Sequence, residues 1–312
     1  MRTLSIVTPC FNEEAGIAAC YEAVRRVLAD RLPAYEYEHI FIDNASTDGT
    51  IAVLRGLAAR DGRVRVIVNA RNFGPSRSPY HAILQSRGDA VIPVLADLQT
   101  PPDLIPEMVA AWERGSKVVI AVRRSTAEEP GPLRWARNAF YRLIRAISKV
   151  EQIPNFIGYG LYDRVFVETL RTLNEPEPYF RGLVSEIGFD RAMVTYDQPA
   201  RQHGKSSYRL FDYVDYALMA LSSHSRAPLR LMTLTGFLVA GLSFLIGVVY
   251  LVAKLLFWYS LAAGTAPILI AVFFLGAVQL LAIGVVGEYV GLLLTYSRRF
   301  PLVIEKERIN YE

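Results

Sequence analysis

Four short stretches of this 312-residue chain place polar side chains where an apolar run stops. They are "TPCFNEE" (8–14), "DNASTDGT" (43–50), "NFG" (72–74) and "ADLQTPP" (96–102). Carboxylates, amides and hydroxyls grouped in this way suit the base, ribose and diphosphate of a nucleotide. The last stretch is the most pointed. The run "VLADLQTPPDL" (94–104) stops on one carboxylate, Asp97, followed by the amide Gln99 and two prolines. Enzymes that hold a divalent metal against a diphosphate commonly use two carboxylates at such a point, and Leu95 stands where the first would be. Each stretch also has a plainer use: Asp48 caps a helix, and Asp97 starts a turn. All four together, in this order, point to a nucleotide site.

Such residues need strands behind them. Segments 4–9, 38–43, 64–69, 90–95 and 117–122 are short apolar runs that read as strands. Segments 13–28 and 48–60 read as helices, the first with Ile17, Tyr21, Val24 and Leu28 at three-to-four spacing. This alternation predicts an α/β, Rossmann-like fold with a mainly parallel sheet covered on both faces. Ligands in such sheets bind beyond the carboxyl ends of the strands. That puts the chemistry after residues 8, 43, 69, 95 and 122. A further helix is expected at 133–150. "YRLFDYVDYALMAL" (208–221) sets Phe211, Val214, Leu218 and Leu221 on one face and fits an interfacial helix; an ordinary surface helix is the alternative.

Hydrophobic residues make up 52% of the chain and charged residues 21%, and the charge is concentrated in residues 1–230. Neither 231–253 nor 255–287 contains a charged residue, and each run exceeds the roughly 20 residues that cross a bilayer core. Two transmembrane helices are therefore expected, at about 231–257 and 267–294. Arg226 and Arg230 precede them, and Arg298, Arg299, Lys306 and Arg308 follow. The positive-inside rule then makes the chain multi-pass in the inner (plasma) membrane. The catalytic domain (1–207), an interfacial region (208–230) and a C-terminal tail (298–312) all become cytoplasmic. Residues 1–12 show no signal-peptide pattern. The net charge of +4 crowds near the spans, which favours an anionic lipid bilayer over nucleic acid as partner. Cys10 and Cys20 have no CxxC spacing, so they support neither a metal site nor a disulfide framework. Glu288 falls at the cytoplasmic boundary of the second span, where it either pairs with a basic residue or is a simple boundary carboxylate.

With these stretches the chain resembles glycosyltransferase family 2, the GT-A fold enzymes that use nucleotide-sugars. The two apolar runs and "GVVGEYVG" (284–291) make it similar to the polyprenyl-phosphate glycosyltransferases, relatives of dolichol-phosphate mannose synthase and of bactoprenol glucosyl transferases. "ADLQTPP", "YFRGLVSEIGF" (179–189) and "GEYVG" carry the likeness. The resemblance implies that Pro9, Phe11 and Glu13 line the base and ribose, and that Asp43 contacts the base. It implies a metal and diphosphate site at Asp97 and Gln99, and a donor-binding Arg123 after the fifth strand. It assigns catalysis to Asp97 and to Asp163 of "LYDR", the acid near the reacting carbons; a structural pairing of Asp163 with Arg164 is the alternative. Arg201 and Lys205, in "RQHGKSSY", match a basic loop over phosphates. Arg134 and Arg137 match an acceptor-phosphate clamp, although solvated helix charges would look the same. Asn44 stands where a second Asp is frequent, and Gly160 where a basic residue is common.

The implied reaction is inverting transfer of a sugar from a nucleotide-sugar, read as a UDP-sugar, to polyprenyl (undecaprenyl) phosphate, with Mg²⁺ or Mn²⁺ and in a homotetramer. One Asp can suffice, because Mg²⁺ keeps several waters and takes one or two carboxylates plus substrate phosphates. Leu95 should weaken metal binding before the donor arrives. The rival class is a non-catalytic membrane protein that binds nucleotide-sugar or lipid-linked sugar, supported by Leu95 and Asn44. A processive synthase is disfavoured because "GPLRW" (131–135) has Gly131 at the Gln position of QxxRW. A dinucleotide dehydrogenase is disfavoured because no GxGxxG follows a strand.

Overall fold

The apolar runs fold as strands in the expected alternation. The computed structural model describes residues 2–124, 153–199, 227–256, 265–297 and 300–311. The helices expected at 133–150 and 208–221, and Arg134, Arg137, Arg201 and Lys205, lie outside the described residues. The first half runs β1 (Thr3–Cys10), α1 (Ile17–Arg31), β2 (Glu36–Asp43), α2 (Thr50–Arg60), β3 (Val64–Asn69), α3 (Gly74–Gln85), β4 (Ala90–Pro93), α4 (Ile105–Glu113) and β5 (Val118–Arg123). Then come β6 (Phe156–Asp163), α5 (Arg164–Leu173), α6 (Phe180–Glu186), β7 (Arg191–Tyr196), α7 (Ala227–Leu256), α8 (Thr265–Ser297) and β8 (Glu305–Ile309).

The strands form one sheet in the order β7-β5-β6-β4-β1-β2-β3-β8. β4, β1, β2 and β3 are mutually parallel, and β7 is parallel to β5. Two strands run the other way: β6 against β4 and β5, and β8 against β3. The sheet is thus mainly parallel, as the alternation predicts. Leu4, Ile6, Ile92 and Val119 pack on one face with Val24 of α1 and Met108 of α4. Val7, Ile40, Ile67 and Ile120 pack on the other with Ile83 of α3 and Phe166 of α5. Burial on both faces explains why these strands read as apolar runs rather than alternating ones. Register aligns the carboxyl ends, with Cys10 opposite Asp43 and Val7 opposite Pro93.

The final residues differ from expectation. Segment 298–312 reads as a tail, yet β8 pairs along β3. "EKERI" has no buried residue and sits at the sheet edge, so it lacks the apolar signature of the inner strands. Its ladder is reinforced by Arg55–Glu307 and His81–Glu305, both at 2.6 Å. Just beyond it, Asn310 Nδ2 donates to the Ala58 and Val64 carbonyls, both at 2.9 Å.

Among the described residues the sheet and its helices, β8 included, form one compact unit, and α7 with α8 a second. In that second unit α7 spans 30 residues and α8 spans 33. Both leave large apolar side chains exposed, including Leu234, Phe237 and Leu245 on α7 and Leu280, Leu281 and Leu293 on α8. The two expected spans fall on these helices. Among the described residues one stretch, Phe274–Ser297, is by length and composition apolar enough to cross a bilayer. Glu288 lies within it.

Candidate active site

The loops that leave β1 and β2 are stitched together. The Asn12 and Glu13 N–H groups donate to Ser46 Oγ and Thr50 Oγ1, each at 2.9 Å. Thr47 N–H returns a bond to Asn12 Oδ1 at 2.8 Å, and Gly49 N–H one to Glu14 at 2.9 Å. Pro9, Phe11 and Glu13 are half-buried along this seam. Asp48 lies one residue before Gly49, the N-cap of α2, and accepts the Thr50 N–H at 3.0 Å. Burial pushes its carboxyl up, but hydrogen bonds from Thr50 and the Glu14 N–H outweigh that and hold it below the ordinary value.

Asp43 ends β2, fully buried, and accepts the Ser46 N–H at 2.9 Å. Burial pushes its carboxyl up; bonds from Ser46 and the Ala45 N–H pull it back only in part. Ala45 has φ 63°, which lets these N–H groups turn back on the carboxylate. Beside it Asn44 uses both ends of its amide. Nδ2 donates to Asn72 Oδ1 at 2.9 Å and to the Gly74 carbonyl at 3.2 Å. Oδ1 accepts from Phe73 N–H at 2.9 Å and from Asn69 Nδ2 at 3.1 Å. A carboxylate could make the second pair of bonds but not the first. Asn44 therefore departs from the common Asp for a structural reason: it fixes the β3–α3 loop.

The segment after β4 closes on itself. Leu95 N–H donates to Thr100 Oγ1 at 2.8 Å, Leu98 N–H to the Leu95 carbonyl at 3.1 Å, and Gln99 N–H to Asp97 Oδ1 at 3.1 Å. Leu98 has φ 58°. Non-glycine residues in the left-handed region cluster at functional sites, and Asn12, Ala45 and Leu98 each follow a parallel strand at this one edge. Tyr159 Oη donates to the Pro101 carbonyl at 2.6 Å and braces the loop. Arg123 ends β5, with Nη1 2.7 Å from Gln198 Oε1.

Asp43, Asp97 and Arg123 thus share the carboxyl edge of the sheet; Asp163 does not. It ends β6, which runs backwards, and its register partner is Ala90, the first residue of β4. Roughly 13 Å of strand separates that level from the loop after β4, at about 3.3 Å per residue. There Asp163 caps α5 through the Val165 N–H at 2.9 Å and accepts from Trp112 Nε1 at 2.7 Å. Its ion-pair partner is Lys117 at 3.2 Å, while Arg164 turns to the Ser86 carbonyl. The structure thus sets Asp163, expected as a catalytic residue, apart from Asp43 and Asp97: a reversed strand delivers its carboxyl end to the other end of the sheet. Gly160 also has a structural reason, since a Cβ there would collide with the Val119 carbonyl oxygen.

Sequence reasoning missed Asn12, Ser46, Thr50, Asn69, Tyr159 and Gln198. The asparagines at strand ends, "VN" (68–69) and "RNFG" (71–74), were the available signal for the loop network. Cys10 and Cys20 are free and buried; burial pushes the Cys20 thiol up to about 12. Among the described residues no three His, Cys, Asp or Glu side chains converge as a metal cage. Asp97, Gln99 and Thr100 each carry a side-chain oxygen, which suits a hard divalent ion that keeps water and takes ligands from its substrate.

Known proteins resemble this chain along most of its length. The profile of glycosyl transferase family 2 matches residues 5–170, more than half of the chain. The bactoprenol glucosyl transferase of Shigella phage SfV is 34% identical over 303 residues, covering 97% of this chain and 98% of that protein. A prophage-derived bactoprenol glucosyl transferase of Shigella flexneri is 33% identical, covering 97% of each. Among solved structures, mannosyl-3-phosphoglycerate synthase from Rubrobacter xylanophilus aligns with a TM-score of 0.47 at 20% identity over 75% of each chain. The chain belongs to glycosyl transferase family 2: it is a glycosyltransferase that takes its sugar from a nucleotide.

Proposed function

We propose that the protein moves a sugar from a UDP-sugar to a polyprenyl phosphate at the cytoplasmic face of a membrane, with inversion at the anomeric carbon. The observation that carries this is the full-length similarity to bactoprenol glucosyl transferases, which extends through both long helices. Asp43, with Pro9, Phe11 and Glu13, takes the base and ribose. Arg123 meets the diphosphate. Asp97 and the Gln99 carbonyl hold Mg²⁺ or Mn²⁺, which when bound neutralises charge on the leaving diphosphate. The acceptor is a phosphate monoester with a second pKa of about 6, so it is already largely anionic. It needs no general base, in keeping with Asp163 lying elsewhere. Arg134, Arg137, Arg201 and Lys205 supply cations for its phosphate.

The membrane topology has its own support. β1 to β7 and β8 belong to one sheet, while α7 and α8 come between β7 and β8 in the chain. This chain order favours a topology in which the helical pair enters and leaves the membrane on one side. Two helices of 30 and 33 residues with exposed apolar surfaces fit a hairpin of two spans.

The test is transfer in detergent from radiolabelled UDP-sugars to undecaprenyl phosphate. Label is expected in the lipid fraction. A protein that binds UDP-sugar yet labels no lipid, across several sugars and acceptor lengths, refutes the acceptor class.

A further inference from the structure

Among the described residues the Arg123 charge meets a neutral group. Among the described residues its guanidinium bonds to the Gln198 amide, and its Nε–H is buried without a partner. Tyr196 is in the same condition: it is 4% exposed, and its hydroxyl is buried and unpartnered. Buried polar groups in folded proteins are nearly always satisfied, so each exception asks for a cause. These two exceptions are neighbours. Arg123 and Tyr196 are register partners on the parallel strands β5 and β7. Their side chains leave the same face of the sheet, from backbones about 4.8 Å apart. Burial raises the Tyr196 pKa and the Arg123 charge pulls it back, which puts the groups within electrostatic reach. The Tyr196 ring also meets Tyr159 edge-on, with centroids 5.8 Å apart. Tyr159 in turn bonds the Pro101 carbonyl, two residues past Gln99.

We propose that Arg123 Nε–H and Tyr196 Oη–H form a paired donor notch for one phosphoryl oxygen, with Gln198 holding the guanidinium in position. Two hydrogen-bond donors side by side, one charged, select an anionic oxygen acceptor. The inference rests on the reading of the protein as a transferase between a diphosphate donor, to which Arg123 is assigned above, and a phosphate acceptor, which carries the same kind of oxygen. Gln198 lies three residues before Arg201, so the notch sits at the root, in sequence, of the basic segment assigned to the phosphates.

The experiment uses purified full-length protein in detergent, with Tyr196→Phe and Gln198→Leu. Calorimetry measures binding of UDP with Mn²⁺ and, separately, of undecaprenyl phosphate; thermal melts run alongside. Both variants should bind one of the two ligands about three- to tenfold more weakly, the loss of a single hydrogen bond. The ligand affected identifies whose phosphate sits in the notch. The Tm of Tyr196→Phe should stay at or above wild type, because an unpartnered hydroxyl has been removed. Wild-type affinity for both ligands in Tyr196→Phe overturns the proposal. So does a lowered Tm with equal weakening of both ligands, the mark of a merely structural role. In either case a wild-type protein that binds both ligands leaves the transferase reading standing; a wild type that binds neither removes both.

Discussion

Trp112 Nε1 donates to Asp163 Oδ2 at 2.7 Å, at the end of the sheet away from Asp43 and Asp97. Burial pushes the Asp163 carboxyl up, but bonds from Trp112, the Val165 N–H and Lys117 outweigh it and hold the pKa below the ordinary value. A depressed carboxyl pKa stabilises the fold above the unfolded-state value, and that stability is lost as pH falls through the folded value. Asp163→Asn should keep transfer within about threefold of wild type while lowering the melting temperature near neutral pH. The gap in Tm should narrow as the buffer drops below the usual carboxylate range. A loss of transfer by orders of magnitude with an unchanged melt would restore Asp163 to the chemistry.

Asp43 has the opposite sign. Its pKa is raised, chiefly by burial, so its charge weighs against folding as pH rises through the folded value. Asp43→Asn keeps an acceptor for the Ser46 N–H and removes that charge. The variant should melt higher than wild type near neutral pH, with the difference vanishing in acid. It should also bind UDP at least about tenfold more weakly, through loss of a hydrogen bond to a charged group. Melts at stepped pH, paired with calorimetry, separate the two effects; a variant that melts lower at neutral pH contradicts the first.

Asn44→Asp sets a carboxylate oxygen against Asn72 Oδ1 and the Gly74 carbonyl, where Nδ2 now donates. Leaving such groups unmatched costs about 1–3 kcal/mol. At roughly 2–4 °C per kcal/mol for a domain of this size, the melt should fall by several degrees. Donor affinity should not improve. Tighter UDP binding with an intact melt would mean that an acid belongs at this position after all.

The metal reading is tested at Asp97. Asp97→Ala should abolish the Mn²⁺ dependence of UDP binding and slow transfer by at least about a hundredfold, since a Lewis-acid metal is worth several kcal/mol. Leu95→Asp supplies the second carboxylate, and should raise Mn²⁺ affinity in the absence of nucleotide. Full-rate transfer by Asp97→Ala would end the metal assignment.

The first five strands were legible because burial on both faces makes them apolar runs. The later ones hide for separate reasons. β6, "FIGYGLYD", contains two glycines that look like breakers, yet Gly160 is there because the Val119 carbonyl leaves no room for a side chain. β8, "EKERI", alternates charges on a half-wet edge. The places of Asp43 and Asp97 at the carboxyl edge were readable because one ends a parallel strand and the other follows one. Asp163 was misplaced because strand direction is a tertiary property: nothing local in "LYDR" says that β6 runs backwards. The pairing of Arg123 with Tyr196 could not be foreseen, since it depends on β5 and β7 lying side by side.

β8 has a consequence for how the protein is made. The strand that shields the outer flank of β3 is synthesised only after both long apolar helices. During most of translation β3 presents a bare edge, the kind of surface that recruits other chains. A product that stops short of Glu305 never loses it. Completion of the catalytic half is thereby deferred until both long helices exist, and prematurely ended chains should be cleared or clump rather than linger as free, half-competent enzyme.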